Sequence, residues 1–293
     1  MEILKSAVIL VIGFVLLIKG ADYFVEGSSS VAKKFKVPSL IIGMTIVAMG
    51  TSLPELAVSV TASMAGNNTL AVSNVAGSNI FNLMVVCGAC ALFAPLNIEK
   101  NTLMKEFPFS ILCAGLLVVM GYLGMSLGRV DGVILLVIFA VYLFWMIQSA
   151  KKARTSGDKL EAEEEALAEE EIKILPMWKC IVFIIGGMIA IKFGGDFVVD
   201  GASSIAAGFG LSQTLIGLTI VALGTSLPEL VTSIVAARKD EVDMALGNVI
   251  GSNIFNILLI LGVAAVISPV TFLMENIIDI IILIIMSAVV WGF

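Results

Sequence analysis

Two glutamates, Glu55 and Glu229, each end a copy of the six-residue sequence GTSLPE inside a long apolar run. A carboxylate at the depth of a bilayer centre costs about 2.5–3.5 kcal/mol on insertion scales, so it indicates an ion or proton pathway. A purely structural glutamate would need a basic partner at similar depth, and Lys192 is the only candidate. Because one lysine cannot serve two repeated sites, both glutamates are predicted to be functional.

The residues around each glutamate predict a broken helix with oxygen ligands on either side of the break. Pro54 and Pro228 cannot donate a backbone hydrogen bond, and together with Gly50 and Gly224 they are expected to interrupt the helix. The break frees carbonyl oxygens one turn earlier, and hydroxyls three or four residues away share the face of the glutamate. On the following helix, a serine and an asparagine at i, i+4 share one face in each copy. The predicted ligands besides the glutamates are Ala48, Thr51, Ser52, Ser78, Asn82, Ala222, Thr225, Ser226, Ser252 and Asn256.

This set of carboxylates, hydroxyls, amide oxygens and backbone carbonyls suits hard cations. Ca²⁺ takes about 6–8 oxygens in a flexible geometry, whereas Mg²⁺ requires a rigid octahedron and retains its waters. Two glutamates balance the charge of one Ca²⁺, and the same oxygens could hold Na⁺ instead. Competition between two cations for one negative site is a physical basis for exchange.

The composition places these residues in a membrane protein. Of the 293 residues, 59% are hydrophobic and 14% are charged, with a mean hydropathy of +1.08, whereas soluble domains contain about 45–50% apolar residues and about 25% charged ones. Histidine is absent, which excludes histidine-based catalysis and histidine-ligated zinc. Cys87 and Cys90 form a single C-x-x-C in apolar surroundings, which does not favour a metal or redox site. Without a nucleophile–base pair or a cofactor motif, the chain is predicted to be neither an enzyme nor cofactor-dependent.

Apolar runs of membrane-spanning length predict nine helices. They lie near residues 5–25, 38–64, 70–93, 107–126, 130–149, 177–199, 212–237, 244–267 and 276–293. The first is not a cleavable signal peptide, because it carries Lys19 and Asp22 and lacks a small-residue cleavage site. Lysine and arginine concentrate in alternate loops, which predicts that those loops are cytoplasmic and the N-terminus is outside. The expected location is the plasma (cell inner) membrane.

An internal repeat relates the two halves at an offset of 174 residues. Residues Gly43–Asn82 and Gly217–Asn256 align without a gap, and 23 of the 40 positions are identical. Gly20–Ala32 matches Gly194–Ala206 at the same offset, so each repeat is expected to begin with a helix that ends in two acidic residues. The first repeat has five spans, an odd number, so the second must enter the membrane from the opposite side. This is the inverted-repeat plan of secondary transporters.

The predicted fold is therefore an all-α polytopic membrane protein with two inverted repeats of five helices and broken helices at the midplane. The repeats are residues 1–149 and 175–293, and residues 150–174 form an acidic cytoplasmic linker. The linker is interpreted as a short solvated helix, and a regulatory cation site is the alternative. A partner for the fifth span would lie beyond Phe293, so either a tenth helix is missing or the protein ends with nine.

The paired motifs GTSLPE and GSNIFN resemble the α-repeats of the sodium/calcium exchanger family, within the cation/Ca²⁺ antiporters. The resemblance implies a ten-helix fold, with the central glutamates at Glu55 and Glu229. It also implies Na⁺ and Ca²⁺ ligands among the hydroxyls and carbonyls named above. Several family members carry aspartate where this chain has Asn82 and Asn256, which argues against a K⁺-dependent subtype. The H⁺/Ca²⁺ branch usually has asparagine where this chain has Thr51 and Thr225, so the resemblance favours that branch less.

These observations predict a Na⁺/Ca²⁺ antiporter that works by alternating access, with the first and sixth helices sliding or rocking. The alternatives are an H⁺-coupled or other cation/Ca²⁺ exchanger and, less favoured, a cation channel. The expected partners are Ca²⁺, Na⁺ and the lipid bilayer, with no nucleic acid and no obligatory protein partner.

Overall fold

The computed structural model describes residues 2–66, 68–95, 102–156, 175–216, 219–220 and 222–292. The first repeat consists of α1 (Glu2–Phe35), α2 (Ser39–Thr51), α3 (Leu53–Met64), α4 (Thr69–Phe93), α5 (Met104–Gly124), β1 (Ser126–Leu127) and α6 (Arg129–Ser156). The second consists of α7 (Met177–Gly208), α8 (Gln213–Ile216), α9 (Ala222–Gly224), α10 (Leu227–Arg238), α11 (Val242–Ile267), β2 (Val270–Thr271) and α12 (Met274–Gly292). The two short strands pair antiparallel and join the ends of α5 and α12.

The membrane-spanning helices largely confirm the sequence prediction. Seven described helices are long and apolar enough to cross a membrane, and the pair α2 and α3, bent by 48°, forms an eighth span. The predicted span at 212–237 corresponds to α8, α9 and α10, and residues 217, 218 and 221 within it lie outside the described residues. The acidic linker falls mostly on residues 157–174, which also lie outside them. The chain is a multi-pass, all-α membrane protein.

The first helix of each repeat is longer than predicted, and the expectation that it ends in two acidic residues is wrong. α1 continues to Phe35 and α7 to Gly208, so the acidic residues lie within the helices. The helices tolerate the acidic residues Asp22 and Asp196 because each has a basic partner. Asp22 lies 3.6 Å from the Lys19 ammonium and 3.5 Å from that of Lys239, and Asp196 pairs with Lys192 one turn away.

Helices α1 and α7 pack against each other along their length through glycines. A Cβ placed on Gly13 would lie 2.7 Å from the backbone nitrogen of Val198, and one on Gly194 would lie 2.6 Å from that of Leu17. Small residues of this kind let helix backbones approach closely in membranes. The two repeat-related helices therefore form a backbone-to-backbone pair, which contacts the rest of the bundle mainly through α1 and α10.

Both predicted helix breaks are present. Ser52 leaves the helical region at φ −83° and ψ 8°, and Ser226 does so at φ −93° and ψ 4°. Pro54 and Pro228 follow in the first turns of α3 and α10, where a missing backbone N–H is tolerated. Each break thus ends one helix and begins another at the repeated motif.

Turns of π-helix interrupt several helices, and the sequence did not predict them. They occupy Gly43–Val47 in α2, Asn82–Val86 in α4, Thr102–Glu106, which overlaps the first residues of α5, and Asn256–Ile260 in α11. The turns in α4 and α11 begin at the two repeat-related asparagines predicted as ligands. Single π-turns of this kind occur frequently at functional sites.

Candidate cation site between the repeats

The two repeated glutamates lie in the interior of the protein. Glu55 and Glu229 are both fully buried, and each stands in the first turn after a helix break. Lys192, the basic partner considered from sequence, instead pairs with Asp196, and both of these side chains are about half exposed. In the described residues, no ion pair involves either glutamate. A structural ion pair therefore does not account for the buried carboxylates in this part of the chain.

The hydroxyls next to the breaks contact the glutamates of the opposite repeat. Ser52 Oγ donates to Glu229 Oε1 at 3.1 Å. Ser226 Oγ lies 3.3 Å from Glu55 Oε1 and 3.2 Å from the hydroxyl of Ser78. The helical spacing of the motif places each serine only on the face of its own glutamate, so this crossing was not foreseen. It brings both glutamates into one site shared by the repeats.

Five buried oxygen atoms of the predicted ligands have no hydrogen-bond partner within the described residues. They are Glu55 Oε2, Glu229 Oε2, Asn82 Oδ1, Asn256 Oδ1 and Ser252 Oγ. A buried polar atom without a partner costs about 1–3 kcal/mol, so a cluster of them calls for a ligand. Four of the five can only accept, which suits a cation. Among the residues that the structure describes, no group of three or more histidine, cysteine or acidic side chains is placed to hold a metal ion, and the two glutamates are the charged members of the predicted ligand set.

The remaining predicted ligands lie in two unequal halves. Thr51 is fully buried, and its hydroxyl lies 3.4 Å from the carbonyl oxygen of Ala48, which is also buried. Thr225 is only partly buried and reaches the carbonyl oxygen of Ala222, an exposed residue, at 3.5 Å. The repeats therefore supply equivalent residues in different environments.

The same inequality is visible in two repeat-related glycines. A Cβ on Gly251 in α11 would lie 2.7 Å from Met44 Cα and 2.9 Å from Ala48 Cβ, so α2 packs tightly against α11. A Cβ on the equivalent Gly77 in α4 would meet no atom of the described chain within 4 Å. The side of the site that faces α2 is therefore closely packed, whereas no atom of the described residues packs against Gly77 on the side that faces α9.

Four further asparagines support the site and were missed from the sequence. Asn74 donates to Ser59 Oγ at 3.1 Å, and the repeat-related Asn248 donates to Ser233 Oγ at 2.9 Å. Asn248 Oδ1 also accepts from the hydroxyl of Thr51 at 3.0 Å. The other two, Asn79 and Asn253, bond across the interface between the repeats. All four are identical in the two repeats, which is the signal that could have identified them.

Comparison with known proteins gives one consistent family. The model for "Sodium/calcium exchanger protein" matches residues 5–148 and 179–293. The putative antiporter CaxA of Alkalimonas amylolytica is 44% identical over 269 residues, which cover 91% of this chain and 82% of that protein. The inner membrane protein YrbG of Escherichia coli (strain K12) is 38% identical over 269 residues, covering 91% and 81% of the two chains.

A solved structure shares the fold over nearly the whole chain. The sodium-calcium exchanger NCX_Mj, soaked with 2.5 mM Na⁺ and 0.1 mM Ca²⁺, superposes with a TM-score of 0.84 at 34% identity. The match covers 99% of this chain and 90% of that one. The predicted inverted-repeat fold agrees with it. Members of the sodium/calcium exchanger family are membrane transporters that exchange ions without a cofactor. The chain belongs to this family.

Proposed function

We propose that this protein is a Na⁺/Ca²⁺ antiporter that uses a Na⁺ gradient to move Ca²⁺ across the membrane. The observation that carries the proposal is the pair of fully buried carboxylates, Glu55 and Glu229, each with an unpartnered oxygen at the interface of the repeats. Bound Ca²⁺, or Na⁺ in its place, offsets the negative charge of the two carboxylates and supplies a partner for their unpartnered oxygens. The similarity to the sodium-calcium exchanger NCX_Mj, which was soaked with both ions, supports this assignment.

The proposed ligand set combines side-chain and backbone oxygens of both repeats. We assign the first repeat to residues 1–149 and the second repeat to residues 175–293. The glutamates provide the charge, while hydroxyls, amide oxygens and two alanine carbonyls complete the coordination. In addition to Glu55 and Glu229, the set is Ala48, Thr51, Ser52, Ser78, Asn82, Ala222, Thr225, Ser226, Ser252 and Asn256. This donor set contains no sulfur or imidazole and fits Ca²⁺ or Na⁺.

Alternating access is the proposed mechanism, and the unequal halves of the site support it. One half-site is covered by α2 packed on α11, whereas no atom of the described residues lies within 4 Å of a Cβ placed on Gly77 in the repeat-related half beside α9. Because the two repeats share the same motifs, an exchange of the two arrangements would cover the half beside α9 and uncover the half beside α2. The close glycine contacts between α1 and α7 make these two helices a tightly packed pair, which suits their movement as one unit.

The proposed orientation follows from where the basic residues collect. Lys33, near the end of α1, lies 4.0 Å from Glu241, and Lys239 lies 3.5 Å from Asp22, so the basic loops meet at one end of the molecule. Positive residues favour the cytoplasmic side, which puts this end inside and the N-terminus outside. The half of the site beside α9 then faces outward. The similarity to an inner membrane protein, YrbG, supports location in the plasma (cell inner) membrane.

A Ca²⁺ titration of the purified protein tests the site assignment. We expect saturable Ca²⁺ binding in Na⁺-free buffer and a rise in the apparent Kd as Na⁺ is added. Glu55→Gln and Glu229→Gln are expected to abolish binding while the protein remains folded. Glu275→Gln is the matched control, because Glu275 is an exposed glutamate in the first turn of α12. Unchanged Ca²⁺ binding in both site variants would refute the assignment.

A further inference from the structure

Four buried asparagines join α4 and α11 beside the candidate site. Asn79 and Asn253 each donate a side-chain hydrogen bond to the backbone carbonyl of the other, at 3.1 and 3.3 Å. Asn256 Nδ2 donates to Asn79 Oδ1 at 2.9 Å, and Asn82 Nδ2 donates to Asn253 Oδ1 at 3.3 Å. All four side chains are at most 3% exposed. The network links two pairs of residues that are equivalent in the repeats.

The chemistry of this network fixes which way each amide points. A backbone carbonyl can only accept, so the amide nitrogen of Asn253 must face the carbonyl of Asn79. The oxygen of Asn253 then faces Asn82, so Asn82 must donate a hydrogen bond through its amide nitrogen. The only remaining direction for the Asn82 oxygen is away from Asn253. The same argument, beginning at the carbonyl of Asn253, fixes Asn79 and then Asn256.

The outward-pointing oxygens are the ones without partners. Asn82 Oδ1 and Asn256 Oδ1 are both buried and have no hydrogen-bond partner among the described residues. If either amide were reversed, its oxygen would face another amide oxygen, and its NH₂ group would point toward the site and repel a cation. An asparagine at a cation site is useful only in one of its two orientations, whereas an aspartate presents an oxygen either way.

We propose that Asn79 and Asn253 are positioning residues that hold the amide oxygens of Asn82 and Asn256 toward the cation. This inference rests on the proposed function, since it requires Asn82 and Asn256 to be ligands. The hydrogen bonds cross between the repeats. The backbone carbonyl of Asn79 on α4 orients Asn253 on α11, and Asn253 in turn orients the proposed ligand Asn82 on α4. Each half of the site is therefore aligned by the opposite repeat.

A double-mutant cycle on Ca²⁺ binding tests the proposal. Asn253→Ala removes the acceptor that holds Asn82, and we expect the Ca²⁺ Kd to rise about fivefold or more, the factor equivalent to one net hydrogen bond of about 1 kcal/mol. In an Asn82→Asp background, either carboxylate oxygen can face the cation. There, Asn253→Ala is expected not to weaken binding. Asn79→Ala with Asn256→Asp gives the equivalent cycle in the other half of the site.

Controls separate positioning from general damage. Asn276→Ala removes another buried asparagine, which donates to Ser73 Oγ on α4, and should leave the Ca²⁺ Kd unchanged. Thermal unfolding of every variant reports folding, and Asn253→Ser replaces Asn253→Ala if the alanine variant does not fold. Equal weakening in the wild-type and Asn82→Asp backgrounds, or no weakening in either, would overturn the proposal. Absence of Ca²⁺ binding by the wild-type protein would instead show that the proposed function has failed.

Discussion

Two equivalent glycines are predicted to respond oppositely to the same substitution. Gly251 in α11 and Gly77 in α4 occupy the same position of the two repeats, at an offset of 174 residues. Alanine at Gly251 would place its Cβ 2.7 Å from Met44 Cα and 2.8 Å from the Met44 carbonyl oxygen. Alanine at Gly77 would meet no described atom within 4 Å. The two variants therefore differ in packing while sharing the same sequence context.

The expected free-energy difference follows from two contributions. Replacing glycine by alanine inside a helix favours folding by about 0.8–1 kcal/mol, and this term is common to both variants. Overpacking typically costs about 1–3 kcal/mol and applies only to Gly251→Ala. The overpacking cost of Gly251→Ala should lie near the upper end of that range, because the opposing atoms of Met44 belong to the backbone and cannot rotate away. Gly251→Ala is thus expected to be less stable than Gly77→Ala by about 3 kcal/mol.

Thermal unfolding in one detergent, followed by circular dichroism, measures the difference. The unfolding midpoint of Gly251→Ala should fall below that of the wild type, and the midpoint of Gly77→Ala should equal or exceed it. Equal shifts for the two variants would refute the unequal packing on which the access argument depends.

The same pair also probes the exchange of arrangements between the repeats. If α8 and α9 pack onto α4 in the opposite state, as α2 packs onto α11 here, an alanine at Gly77 obstructs that state. Gly77→Ala should then slow Ca²⁺ transport in proteoliposomes without lowering stability. Wild-type transport rates in Gly77→Ala would contradict the proposed symmetric closure.

Three further tests, two of them with a matched control variant, probe other side chains. Lys192→Met should leave the Ca²⁺ Kd unchanged, since this lysine belongs to a half-exposed ion pair on α7; a large loss of affinity would reinstate it as a partner of the site. Glu241→Ala should lower the free energy of unfolding by about 1–3 kcal/mol, because the hydroxyls of Ser29 and Ser39 lose their acceptor. The control Glu275→Ala should change it by less than about 0.5 kcal/mol. Thermal unfolding midpoints measure both effects, and equal midpoints for the two variants would contradict the role of Glu241. On α5, Gly121→Ala would drive a Cβ to 2.5 Å from a buried phenylalanine ring and should destabilise, whereas Gly115→Ala meets no described atom within 4 Å and should not; equal midpoints would contradict this packing.

The sequence predicts the frame of this protein because its signals are local and repeated. Hydropathy identifies the spans, the proline of each motif determines the helix break, and the identity of the repeats shows that the two halves correspond. Glu55 and Glu229 stand out because a carboxylate inside an apolar run has few structural explanations. These properties require no knowledge of how the helices pack.

What the sequence could not predict depends on contacts between the halves. The crossing of Ser52 and Ser226 to the opposite glutamates arises from packing of the two breaks against each other, which helical spacing within one motif does not reveal. The unequal packing of the two halves is also not predictable, because the motifs GTSLPE and GSNIFN are the same in both repeats. The sequence predicts that α1 ends at its two acidic residues, Asp22 and Glu26, but the ion pairs of Asp22 with Lys19 and Lys239 let the helix continue.

The central claim is Na⁺-coupled Ca²⁺ exchange, and ⁴⁵Ca²⁺ uptake into proteoliposomes tests it most directly. Vesicles loaded with Na⁺ and diluted into Na⁺-free medium should accumulate ⁴⁵Ca²⁺, with no uptake when K⁺ replaces internal Na⁺ or when Glu229→Gln is reconstituted. A pH gradient alone should not drive uptake. Accumulation that follows the pH gradient and ignores Na⁺ would contradict Na⁺ coupling and indicate H⁺ exchange, and Ca²⁺ current without any counter-ion would indicate a channel.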